Sequence, residues 1–157
     1  MNPKSSIGHV HLKVSDLERS ITFYTQVLGF EITTRIGNQA AFLSVGGYHH
    51  HIGLNTWESQ GGEAPPQGST GLYHFAILLP DRKSLAAAIK RLNDHHWPLD
   101  GAADHGVSEA VYLTDPDGNG IELYHDRPKE EWPKDEKGQL MMYTRPLDMK
   151  KLLTETV

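Results

Sequence analysis

Six side chains can do chemistry together if the strands carrying them fold as their patterning predicts: His9, His11, His51, His74, Glu122 and Tyr124. Imidazole exchanges protons near neutral pH, and its neutral ring nitrogen is a good ligand for Fe(II), Mn(II), Zn(II) or Ni(II). A carboxylate among imidazoles offsets part of the charge of such an ion. Two imidazoles and one carboxylate on a concave face suit a divalent metal with open positions for substrate and, with iron, dioxygen. Residue type alone leaves open which imidazoles those are.

Strand parity collects the six. Val10, Leu12 and Val14 are apolar and should face a helix, which turns His9, His11 and Lys13 to the opposite face. Phe75, Ile77 and Leu79 leave His74 and Ala76 opposite in the same way. Ile121 and Leu123 leave Glu122 and Tyr124, and Ile52 and Leu54 leave His51 and Gly53. The run His49-His50-His51 lies inside the domain, and His51 is the best placed of the three. His95, His96 and His105 read as solvated residues near a helix end and a loop.

The elements that must position these residues are written twice. Shifted by 65 positions, His9 falls on His74, Leu12 on Ile77, Asp16 on Asp81 and Val27 on Leu92. In each copy a short alternating strand ends at an aspartate that caps a helix, over 17–28 and 83–93. Strands over 31–35, 41–45 and 50–56 complete a first βαβββ module, residues 7–57. Residues 58–71 lack apolar periodicity, are rich in turn formers and read as a linker. The second module spans 72–126, with a turn at 115–118 where proline presets φ and glycine tolerates positive φ. Residues 127–157 form a tail expected to pack on the domain or on a partner. The fold class is α+β, two βαβββ modules forming an open, cup-shaped mixed barrel about a pseudo-twofold axis.

Composition narrows the function. A chain of 157 residues with 38% hydrophobic content buries one sizeable core. The net charge of −5, with no basic stripe against it, argues against nucleic acid and anionic membranes as partners. The absence of cysteine removes disulfides, thiolate ligands and a Cys nucleophile. The polar start and the lack of a long apolar run predict a cytoplasmic protein with no leader or anchor.

Two segments carry a family resemblance: residues 7–30, IGHVHLKVSDLERSITFYTQVLGF, and 112–124, YLTDPDGNGIELY. They resemble the two signature segments of the vicinal oxygen chelate superfamily, which holds glyoxalase I, bleomycin and fosfomycin resistance proteins and extradiol ring-cleaving dioxygenases. The likeness covers roughly residues 7 to 126. In metal-binding members the ligands sit on the first strand of each module and the last strand of the second, which implies His9, His74 and Glu122 here. Residues 48–57, YHHHIGLNTW, and 143–148, YTRPLD, are similar to the N-terminal half of bacterial catechol 2,3-dioxygenase-like chains. This chain is shorter than those two-cup proteins: a homodimer would replace a second cup absent by nature, whereas a fragment would depend on its missing half for activity.

The resemblance implies a metal-dependent dioxygenase cleaving a small catecholic ring, with Fe(II) as the cofactor and Mn(II), Zn(II) or Ni(II) as alternatives. A base must take a phenolic proton, and His51 or His11 is placed for that, with Tyr124 lining the pocket. A glyoxalase-like isomerase or lyase is the alternative, although glyoxalase I presents a fourth ligand, a Glu, at the position His51 occupies. A metal-free binding module of the bleomycin-resistance type has no need for the His, His, Glu set. Fosfomycin-type transferases need a cationic cluster, and the inner face offers mainly Lys13.

Overall fold

Both helices that follow a first strand start at an aspartate. Asp16 accepts a hydrogen bond from the amide of Arg19 at 3.0 Å, and Asp81 accepts one from the amide of Ser84 at 2.7 Å. Each carboxylate thereby satisfies an amide that a helix start leaves open. The computed structural model describes residues 1–154, so the last three residues of the expected tail lie outside the described residues. The chain divides into two units: Met1–Thr70 with Pro116–Gly118, and Gly71–Asp115 with the chain from Asn119 onward.

In the first unit β1 (Val10–Lys13) leads into α1 (Leu17–Thr22), then β2 (Glu31–Ile36), β3 (Ala40–Ser44) and β4 (Ile52–Asn55). The sheet order is β1-β4-β3-β2, with β1 parallel to β4 and the other pairs antiparallel. Leu12 and Val14 are buried while His9, His11 and Lys13 are exposed, which is the parity expected of β1. The helix expected over 17–28 stays α-helical to Thr22 and continues as a wider π-helical turn over Phe23–Val27. Leu28 donates to the carbonyl of Phe23 across that turn, which lets Phe23, Tyr24 and Val27 all face the core. Asp117, in the turn tip grouped with this unit, accepts from Ser15 Oγ at 2.5 Å and from Arg19 at 2.6 Å.

The second unit repeats the plan with β5 (Phe75–Leu78), α2 (Arg82–Asp94), β6 (Gly101–Asp104), β7 (Ser108–Thr114) and β8 (Gly120–Asp126). Its order is β5-β8-β7-β6-β9, where β9 is the short Arg145–Pro146 strand, and β5 runs parallel to β8. β1 and β5 start 65 residues apart, as the repeat requires. Leu85, Ile89 and Leu92 of α2 are fully buried, each contributing about 1.5–3 kcal/mol by that burial. The tail returns to its own unit: β9 pairs with β6, and α3 (Met149–Thr154) buries Leu152 and packs on α2. The fold is mixed α+β and neither sheet is closed on itself. Among the described residues no helix is long and apolar enough to cross a membrane.

Candidate metal centre

Two of the expected donors meet in the second unit. His74 Nε2 lies 2.9 Å from Glu122 Oε2, with both side chains largely shielded. The register produces this meeting: Ala76 pairs with Glu122 across the parallel β5–β8 ladder, so His74 shares its face. Ile121, Leu123 and His125 point the other way and are buried, whereas Glu122 and Tyr124 are half-buried.

Two further residues join the pair, and neither was among the expected site residues. Tyr112 pairs with Glu122 across the β7–β8 hairpin, and its hydroxyl stands 3.3 Å from Glu122 Oε1. That hydroxyl is also 2.6 Å from His105 Nε2, while His105 Nδ1 is 2.9 Å from the carbonyl of Tyr143. A carbonyl only accepts, so in the neutral ring Nδ1 carries the hydrogen and Nε2 is an acceptor, which competes with Glu122 Oε1 for the single hydrogen of the Tyr112 hydroxyl. Burial, and then the charge of Glu122, push the Tyr112 hydroxyl up to about 12, so it keeps its proton at neutral pH. The expectation of a solvated His105 is corrected here, because the ring is half-buried and both its nitrogens are engaged. Counting outward from the 115–118 turn, which opposes Tyr112 to Glu122, was the signal that could have found the phenol. Tyr124 lies on the same face, its hydroxyl raised by burial and then by Asp126 and Glu122.

The remaining expected residues lie in the first unit. The His9 ring is 4.4 Å from that of His50. His11 lies flat over Gly53, where a Cβ would come within 2.9 Å of the imidazole. Burial and then the neighbouring His9 hold His11 below the ordinary imidazole range. His51 ends just before β4 rather than within it, but its carbonyl still accepts from Val10 and its amide donates to Leu43. Its Nδ1 is 3.0 Å from Ser44 Oγ, and that hydroxyl donates to the carbonyl of Val45 at 3.2 Å. Nδ1 therefore faces two partners, the Ser44 hydroxyl and the Val45 amide, which donates to it at 3.4 Å.

With this geometry in place, the likeness to known proteins becomes specific. A family profile described as "Glyoxalase/Bleomycin resistance protein/Dioxygenase superfamily" matches residues 6–123. The chain belongs to the glyoxalase/bleomycin resistance protein/dioxygenase superfamily. This superfamily member is 45% identical over 150 residues to "Catechol-2,3-dioxygenase" of Bacillus subtilis (strain 168), covering 95% of this chain and 51% of that protein. It is 29% identical over 124 residues to "Metapyrocatechase" of Geobacillus stearothermophilus, covering 76% of this chain and 34% of that one. The crystal structure of lactoylglutathione lyase from Agrobacterium tumefaciens shares the fold, with a TM-score of 0.62 at 24% identity over 79% of this chain and 96% of that one. The superfamily member thus spans about half the length of the first of these curated relatives and about a third of the second.

A divalent ion is the group the superfamily implies, and the donor chemistry fits it in part. Two ligand bonds of about 2.1 Å at a right angle put their donor atoms about 3.0 Å apart, and His74 and Glu122 are separated by 2.9 Å. Among the described residues, no group of three or more His, Asp or Glu is gathered that could hold a metal ion as it stands.

Proposed function

We propose that this superfamily member is a metal-dependent extradiol dioxygenase acting on a small catecholic substrate, with His9, His74 and Glu122 as the metal-holding residues and Fe(II) as the ion. The observation that carries the reading is the 45% identity to "Catechol-2,3-dioxygenase" along nearly the whole chain. When bound, a redox-active divalent ion would supply electrophilic pull on two neighbouring diol oxygens and the one-electron chemistry that dioxygen requires. His74 and Glu122 offer it one neutral and one anionic donor, and His9 holds the repeat-related position on β1.

The chain's own groups account for the proton. Tyr112 stays protonated and stands between Glu122 Oε1 and His105 Nε2, the two acceptors for its one hydrogen, so it anchors the carboxylate when it donates to Glu122. His51, oriented at Nδ1 by Ser44 and the Val45 amide, takes the phenolic proton of the bound diol. His11 and Tyr124 line the pocket. The assembly proposed for this superfamily member is a homodimer.

The test is metal analysis of anaerobically purified protein, followed by oxygen uptake with catechol. Iron content with stoichiometric oxygen consumption and a yellow ring-opened product is the expected result. Zinc or nickel without oxygen uptake would replace the reading with a glyoxalase-like isomerase or lyase. Loss of any bound metal would leave a ligand-binding protein.

A further inference from the structure

An unbroken row of rings crosses the open face of the first sheet, beginning at His9. The His9 ring is 4.4 Å from His50, His50 is 5.1 Å from Phe42, Phe42 is 5.7 Å from His11, and His11 is 5.7 Å from Trp57. The register makes the row. His11 and Phe42 both pair with Gly53, from β1 on one side of β4 and from β3 on the other. Because Gly53 has no side chain, the His11 ring settles down over the backbone and meets Phe42 edge-on. An alanine at 53 would stand 2.9 Å from the imidazole and push it off the sheet. Trp57 closes the row and is 53% exposed, far more than burial in a core would leave an indole.

Packing alone does not call for this arrangement. Cross-strand aromatic pairs are common in sheets, but three of these five rings are imidazoles, and the indole stands largely exposed at the far end from the candidate ligand. Ring faces and edges attract other rings in offset or edge-to-face contact, and each such pair adds about 0.5–1.5 kcal/mol beyond its buried area. A saturated diol has no equivalent interaction. We propose that the row is a stacking platform for the flat ring of an aromatic substrate, so that this face of the first unit, rather than the metal donors, sets the preference for arenes. The proposal rests on the ring-cleavage reading for the identity of the substrate and deepens it by assigning specificity to His11, Phe42 and Trp57.

The experiment uses metal-free protein, so that chelation plays no part. Binding of 4-methylcatechol is followed by NMR through the ring-proton shifts of the first-unit histidines, with cis-1,2-cyclohexanediol as the saturated control. The expected result is saturable upfield shifts with the catechol and none with the control. Trp57→Ala should raise the Kd about fivefold, the loss of roughly one ring pair, and Trp57→Phe should restore most of it. Gly53→Ala, which disturbs the His11 ring, should weaken binding by a similar factor. Equal shifts from both diols, or a Kd unchanged in Trp57→Ala, would overturn the platform. The two readings fail separately. Catechol binding at the row without oxygen uptake by metal-loaded protein retains the platform and removes ring cleavage. Oxygen uptake with an unchanged KM in Trp57→Ala removes the platform and retains ring cleavage.

Discussion

Gly120 and His74 approach more closely than a side chain at residue 120 would allow: a Cβ there would lie 3.0 Å from the Cβ of His74 and 2.3 Å from the carbonyl oxygen of Tyr73. The bare backbone of β8 at this point lets the end of β5 settle against it, and that contact brings His74 within 2.9 Å of Glu122. Gly120→Ala should therefore displace His74 without touching either donor. The expected outcome is a folded protein whose Fe(II) or Zn(II) affinity falls about tenfold, the usual scale for a change behind a ligand. Calorimetric titration with each metal measures it, and an unchanged affinity would show that the close approach does not position His74.

The titration of Tyr112 should depend on the charge of Glu122. The negative carboxylate disfavours phenolate, which is one cause of the raised Tyr112 value of about 12. Removing that charge with Glu122→Gln makes the phenolate easier to form, so the ultraviolet titration of Tyr112 should begin at lower pH. Comparison with Tyr112→Phe isolates this phenol from the other tyrosines. An unshifted titration would mean that burial alone, the larger cause, raises the value.

His51 and Ser44 should separate in kinetics. His51→Phe is expected to keep its metal and lower catechol turnover about a hundredfold, as loss of a general base does. Ser44→Ala removes only a hydroxyl that orients the ring, so its loss should be smaller. Single-turnover rates with metal-loaded protein across pH make the comparison. Unchanged turnover in His51→Phe would leave that residue as pocket lining.

On the helix side of the second sheet, Glu109 gathers three partners: Arg82 at 2.6 Å, His125 at 2.9 Å and Arg127 at 3.1 Å. Burial pushes Glu109 upward, but the hydrogen bonds from His125 and Arg82 prevail and hold it below the ordinary carboxylate range. Asp104 is likewise held low, chiefly by its hydrogen bond from Arg127. A carboxylate whose folded value is depressed contributes stability that is present above its unfolded value and is lost as pH falls through the folded one. Melting temperature should accordingly fall below about pH 4. Glu109→Gln should cost about 2–3 kcal/mol at neutral pH and flatten that acid limb. An acid limb as steep as the wild type's would exclude Glu109 as its source.

How much of this was legible in the chain differs between elements and contacts. The βαβββ plan, the aspartate caps at Asp16 and Asp81 and the facing of His11 away from Leu12 follow from periodicity and capping, which are local properties. The His74–Glu122 pair was also within reach, since the 65-residue repeat and strand parity together place both on one face. Tyr112 and His105 were not seen, because their meeting depends on hairpin register and on where the Tyr143 carbonyl returns along the tail. The same holds for the row from His9 to Trp57, which exists because a glycine on one strand leaves room for an imidazole from its neighbour. Sequence by itself determined the elements, their order and the faces they present, because backbone preference and apolar period act over a few residues. Tertiary structure alone decided which side chains on those faces touch, because register, close approach and the path of the tail join residues far apart in the chain.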